Sequence, residues 1–398
     1  MLFFSVWLLS NLGVQAAVPV VSNIRASQRA GTQLVDIYYN VTATTPAVKV
    51  SIMVSPDGGV NWNVPAYTFT GAYGTGVTPG KDRLVTWNAG ADWAGRFTSA
   101  CRVRVLADDG SAPPAPAGMV YIPAGTFRMG DGFFEGTTDE LPVHSVFVSA
   151  FFMDKSLITK EEWLDVFSWA AGNRYSFSNS GIFTAITYPV HTISWYDAVK
   201  WCNARSEKEG LTPCYYTDTT LANIYRNGVD GNIANAWVKW TANGYRLPTE
   251  AEWEKAARGG KTNKRFPWGD TITHAQANYF SSSIFSYDLS STRGAHPIYG
   301  DGSSPVGSFA ANDYGLFDMT GNLFEWCWDG YDSAYYGRPG ATNDPHGPVG
   351  ISSARVLRGG AWVNYGGTVN VYRCAARIGF TPTGSNWDYI GFRCVRGF

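Results

Sequence analysis

Residues 107–118, ADDGSAPPAPAG, constrain the fold of this chain more than any other stretch. Three prolines among small residues offer little apolar surface for a core and favour extended backbone, the composition of a linker. The chain therefore folds as separate units on either side of it. With 398 residues there is length for a core in each.

The stretch before the linker, 18–106, reads as all-β. Val48, Val50, Ile52 and Val54 alternate with Lys49, Ser51 and Met53, and Cys101, Val103 and Val105 alternate with Arg102 and Arg104. Asp57-Gly58-Gly59 is a turn signal. Roughly six or seven such runs at short spacing lead us to expect an immunoglobulin- or fibronectin-like sandwich, serving as a spacer or adhesion module. Ahead of it, residues 1–17 hold an apolar run and a small-residue site at Ala16 and Ala17, the pattern of a secretory signal peptide. The expected destination is outside the cytoplasm: periplasm, cell surface or medium. No later stretch approaches the ~18 apolar residues of a membrane span. Charge is balanced, 31 basic against 32 acidic residues, which argues against a nucleic-acid partner.

Beyond the linker, 119–398 forms the larger unit. Fifteen per cent aromatic residues and 44 glycines favour a loop-rich, β-containing architecture over a helical bundle. Helices are nonetheless expected after Thr159, Ser194 and Thr249. Thr159 with Glu162, and Thr249 with Glu252, have capping-box spacing, and Gly259 is a helix stop. Glu250, Glu252 and Glu254 read as capping and surface ion-pairing residues. After Phe266-Pro267-Trp268-Gly269 the chain reads as mostly loop. In the last forty residues, glycine pairs sit among aromatics, and Arg355, Arg358, Arg373, Arg377 and Arg393 alternate with apolar residues as in half-buried strands. The five histidines (144, 191, 274, 296 and 346) show no metal-ligand spacing and read as surface or packed residues. Six cysteines allow disulfides but have no zinc-site spacing.

Four segments, IPAGTFRMG (122–130), GYRLPTEAEWEKAARGG (244–260), YGLFDMTGNLFEW (314–326) and RVLRGG…RCAAR…GFRC (355–394), resemble the sulfatase-modifying factor family of the formylglycine-generating enzyme. The resemblance implies an irregular domain related to C-type lectins over 119–398, so the fold class expected for the whole chain is α+β. The family's enzyme oxidises a protein cysteine to formylglycine with copper(I) held between two thiolates. Those two positions fall on Asn364 and Val369, neither of which can be a thiolate ligand, so copper is not expected. The resemblance also implies calcium, held by Asp318, Glu325 and the backbones of Gly321 and Leu323, with a second site at Asn278, the Tyr279 carbonyl and Asp301. Such oxygen ligands suit a hard cation. It further implies a Cys202–Cys394 disulfide. Cys374 is then free or paired elsewhere, with Cys214 one choice, and the pairing of Cys101 and Cys327 stays open.

Two functions follow. One is a calcium-stabilised binding scaffold, in which Trp362, Asn364, Tyr365, Asn370, Trp387, Asp388 and Tyr389 present rigid aromatic area and adaptable hydrogen bonds to a protein, peptide or glycan. Lectin-like members that serve as variable proteins of diversity-generating retroelements are a special case, with their variation in this C-terminal segment. The alternative is an enzyme of the same family that works without the thiol pair.

Overall fold

The computed structural model describes residues 19–58, 64–110, 114–227, 233–349, 353–363, 369–384 and 387–397. The expected signal peptide therefore lies outside the described residues. The chain divides into two compact units, Met1–Pro113 and Pro114–Phe398.

In the first unit, strands β1 (Val20–Gln28), β2 (Leu34–Thr42), β6 (Gly80–Asn88) and β4 (Phe69–Gly71) form one antiparallel sheet in the order β1-β2-β6-β4. Strands β5 (Gly74–Val77), β3 (Val48–Ser55) and β7 (Arg102–Asp108) form a second. The period-two pattern decides which side chains go inside. Ile37, Tyr39 and Val41 of β2, Val85 and Trp87 of β6, and Val48, Val50, Ile52 and Val54 of β3 meet in one buried cluster. A single short helix, α1 (Ala89–Asp92), follows β6, and Asp92 accepts hydrogen bonds from the Tyr67 and Thr68 amides and from Trp87 Nε1 at 2.7–2.8 Å. This satisfies the polar edge of a tryptophan whose ring is otherwise buried.

The second unit mixes small sheets, three longer helices and long ordered loops. Strands β8 (Met119–Ile122) and β9 (Gly125–Met129) follow each other closely but part company: β9 pairs with β10 (His144–Val148), while β8 pairs with β11 (Phe151–Asp154). One four-stranded sheet runs β12 (Tyr245–Arg246), β17 (Val395–Arg396), β11, β8. Another runs β15 (Ile378–Phe380), β14 (Arg355–Arg358), β13 (Phe324–Gly330), β16 (Ile390–Gly391). The final segment thus supplies strands to both sheets.

Helices α2 (Lys160–Ala171), α3 (Trp195–Lys208) and α4 (Glu250–Arg258) begin at Thr159, Ser194 and Thr249, each of which closes a full capping box with Glu162, Asp197 and Glu252. Gly259 ends α4 in the left-handed conformation. Helix α3 is buried on nearly every side. Its Trp201 ring stacks on Trp163 of α2 at 6.0 Å, and Phe392 meets both edge-on, at 5.4 and 6.2 Å. Residues 259–323 contain no helix or strand longer than an isolated bridge, in line with the expected loop-rich stretch.

Two expectations need correcting. The five arginines do not alternate on half-buried strands: all are buried, and Arg373, Arg377 and Arg393 lie outside strands altogether. The α4 carboxylates are likewise not surface groups; Glu250, Glu252 and Glu254 are all buried. The two surprises are linked, since Arg358 pairs with Glu254 and Arg377 with Glu250.

Candidate functional site

An isolated guanidinium or carboxylate deep in a protein is strongly unfavourable, so each must find a hydrogen-bonded partner of opposite charge. Arg377 grips both oxygens of Glu250 at 2.7 Å, and Arg246 both oxygens of Glu252 at 2.6 Å. Glu254 is shared between Arg258 and Arg358, and also accepts the Gly130 amide at 2.9 Å. Away from α4, Arg373 is bidentate to Glu140 at 2.7 and 2.9 Å, and Arg393 to Glu325 at 2.7 Å. The fork geometry fixes direction as well as distance. The partners of Arg358, Arg373, Arg377 and Arg393 lie 68 to 233 residues away, so these four arginines bind the C-terminal segment to the rest of the unit.

On this frame sits an aromatic rim. Trp387 is 42% exposed, and its ring lies 5.8 Å from Phe380 and 5.4 Å from Tyr389. Tyr389 is mostly buried and approaches Phe324 at 6.3 Å. Trp362 is also mostly buried, belongs to the same apolar cluster as Tyr389, and finds no hydrogen-bond acceptor for its Nε1 among the described residues. Asp388 is exposed beside them. Asn370 belongs instead to the frame, its Oδ1 accepting Arg373 Nε at 2.6 Å. Asn364, Tyr365 and the Val369 side chain lie outside the described residues, although the Val369 backbone opens a short 3-10 turn ending at Tyr372.

The sequence pattern missed one neighbour of this rim. His191 is buried and its Nδ1 lies 2.8 Å from the Thr192 hydroxyl. Burial holds its imidazole below the usual range, partly opposed by the nearby Asp388 charge. Thr192 has a φ of +59°, an unfavourable backbone for a β-branched residue, worth of order 1–3 kcal/mol. No local sequence signal marks either residue, because φ is set here by tertiary contacts.

The oxygen donors assigned to calcium divide into engaged and available groups. Both oxygens of Glu325 are occupied by Arg393, and Oε2 also accepts Trp253 Nε1 at 3.0 Å. Asp318 is buried, takes only the Gly307 amide at 2.8 Å, and is pushed up to about 6 by burial, with Glu325 adding to the rise. Asn278 Oδ1 is buried with no partner among the described residues, while its Nδ2 donates to the Gly302 carbonyl at 3.0 Å. Gly321, at φ +78°, packs so tightly that a Cβ would stand 2.4 Å from the Asn278 carbonyl. Leu323 is buried, the Tyr279 carbonyl lies 3.1 Å from His274 Nε2, and Asp301 is exposed. Asp318 and Asn278 Oδ1 therefore fit a hard cation best, and Glu325 fits least well.

All six cysteines are thiols in this structure. Cys202 and Cys394 bring their Sγ atoms to 3.5 Å. Cys214 and Cys374 belong to different apolar clusters. Burial raises the Cys374 thiol to about 11 and the Cys214 thiol to about 12, so both are protonated at neutral pH.

Residues 107–398 match the sulfatase-modifying factor enzyme 1-like domain, more than half the chain. The chain belongs to the sulfatase-modifying factor family. The formylglycine-generating enzyme of Streptomyces coelicolor is 36% identical over 304 residues, covering 72% of this chain and 93% of that one. The chaperone protein LppX of Paenibacillus barcinonensis is 30% identical over 282 residues, covering 67% and 86%. Among solved structures, Treponema denticola variable protein 1 is 28% identical with a TM-score of 0.52, covering 72% of this chain and 98% of that one. The family's framework thus appears in proteins with quite different names.

Proposed function

We propose that this chain is an exported, calcium-stabilised binding scaffold of the sulfatase-modifying factor family, without copper-dependent formylglycine-generating activity. In this reading the first unit is an immunoglobulin- or fibronectin-like spacer and the second a C-type-lectin-related display domain. The observation that carries the reading is the contrast between a frame of buried ion pairs and the exposed Trp387 and Asp388 beside it. A rigid aromatic with a charged neighbour gives contact area and direction at small entropic cost. Asn364 and Val369, at the positions of the family's copper thiolates, bring no sulfur to the metal. The resemblance to Treponema denticola variable protein 1 supports display from this scaffold. Calcium would be held by Asp318 with the Gly321 and Leu323 carbonyls, and at a second site by Asn278. A Cys202–Cys394 disulfide would tie α3 to the final segment once the chain meets an oxidising compartment.

Given copper(I), oxygen and a cysteine-containing sulfatase-motif peptide, the protein is expected to leave the peptide mass unchanged. Aldehyde formation would overturn the reading. Glycan and peptide arrays probed with the intact protein are expected to yield a ligand whose retention drops at least ~10-fold in Trp387→Ala, from the loss of one buried aromatic contact. Equal retention by the variant would move the ligand surface elsewhere. A second reading, an enzyme of the family without the thiol pair, is favoured by the His191–Thr192 contact and the unfavourable Thr192 backbone. A redox metal at one equivalent per chain would support it over the scaffold.

A further inference from the structure

The first unit lies outside the matched family domain for nearly all its length, yet it contains a cleft of about 540 Å³, in the range of small-molecule sites. The cleft opens along the seam where β1 of one sheet approaches β7 of the other, and the loop from Trp93 to Cys101 forms its wall. Every residue lining it belongs to this unit.

Its chemistry is distinctive in three ways. Trp93 is half-buried, and Phe97 stands 88% exposed at the rim, far more than an aromatic side chain needs for folding. Arg96 and Arg102 line the cleft, whereas among the described residues no aspartate or glutamate does. The nearby Asp92 does not neutralise them, being already engaged by two backbone amides, the Thr68 hydroxyl and Trp87 Nε1. Finally, among the described residues neither the Arg96 guanidinium nor the Gln33 amide has a hydrogen-bond or ion-pair partner, and both are exposed. Donors and a net positive charge therefore converge beside aromatic faces.

We infer that the first unit binds an acidic sugar residue, carrying a carboxylate or a sulfate, in the cleft between β1 and β7. The apolar face of the sugar ring packs on Trp93 and Phe97, Gln33 meets its hydroxyls, and Arg96 with Arg102 takes the acid group. A purely apolar guest would leave two cations facing it unpaired, and a neutral sugar would leave the charge unused. Guanidinium forks match both carboxylate and sulfate oxygens, so both acids are retained.

The test uses the full chain and three sets of oligosaccharides: uronic-acid-containing, sulfated and neutral. Titration followed by tryptophan fluorescence is expected to show binding by at least one acidic set, at least ~10-fold tighter than the neutral set and weakening as salt rises. Arg96→Gln and Trp93→Ala should each lose ~10-fold or more. Arg96 is exposed, so its variant leaves the fold intact, as an unchanged melting curve will verify. Cys101, which lines the cleft and is the one half-buried thiol of the six, provides a second readout: bound sugar should slow its alkylation. Equal affinity for neutral and acidic sugars, undiminished binding by Arg96→Gln, or binding only of acidic peptides would each overturn the inference. So would the absence of any titration.

Discussion

Arg373 illustrates what a single residue contributes to the C-terminal segment. Its guanidinium takes both Glu140 oxygens and sits 3.4 Å from Asp131. Glu140 is nevertheless held above the usual carboxylate range by burial, with Arg373 opposing the rise. Removing the arginine leaves that carboxylate unpaired, so Arg373→Met is expected to cost about 3–5 kcal/mol, read by denaturant unfolding. A cost under about 1 kcal/mol would mean that water reaches Glu140. His346 gives a prediction with the opposite logic. Burial lowers its imidazole to about 3, with Arg246 also lowering it, and its ring stacks on Trp240. The folded pKa is below the unfolded one of about 6.5, so stability is lost as pH falls from 6.5 toward 3, by about 1.4 kcal/mol per unit. His346→Asn should therefore melt with a smaller drop between pH 7 and pH 5 than the parent; an identical drop would show that other groups carry it. Neither the arginine's role nor the histidine's was legible in the sequence. Alternating arginine and apolar residues indicate a half-buried strand unless one knows that the acids waiting for them lie up to 233 residues away.

At the scale of elements, legibility follows how locally an element is determined. The starts of α2 and α4 were readable because a capping box needs only four consecutive positions, with the acceptor and the donor both in the string. Thr249→Ala removes the oxygen that accepts the Glu252 amide at 3.2 Å and is expected to cost about 1 kcal/mol. Its effect should be larger than that of an exposed threonine such as Thr383, and thermal melts of both variants check this. The glycine pair at Gly359 and Gly360 was visible among the aromatics of the sequence, but its reason was not. Gly360 has φ +74°, and a Cβ there would lie 2.2 Å from the Tyr372 ring. Tyr372 in turn donates its hydroxyl to the Val363 carbonyl, which ties the ring to the backbone just after Trp362. Gly360→Ala must displace that ring and adopt an unfavourable backbone, and a loss of about 2 kcal/mol or more is expected. A neutral effect would mean the ring is free to swing away. The expected calcium loop lies between these cases: its oxygen donors were nameable from the resemblance, but the capture of both Glu325 oxygens by Arg393 came from the last strand's approach.

Over the whole molecule, the core organisation carries one more consequence. The buried residues of the first unit form a cluster of their own, built on Ile37, Tyr39, Val50 and Trp87. Those of the second unit form separate clusters, the largest around Trp163, Trp201 and Leu247. Among the described residues, each cluster draws on one unit. The proline-rich stretch was enough to separate them in the sequence, because three prolines among alanines leave nothing to bury. Two independent cores lose their packing independently, so calorimetry of the intact chain is expected to show two transitions. Ile37 and Leu247 are both fully buried. Truncating either to alanine removes about 2–5 kcal/mol from its own core. Ile37→Ala should therefore lower one transition and Leu247→Ala the other, each leaving its counterpart in place. If both variants shift a single transition by the same amount, the units unfold together and contacts between them contribute to stability on the scale of the cores themselves.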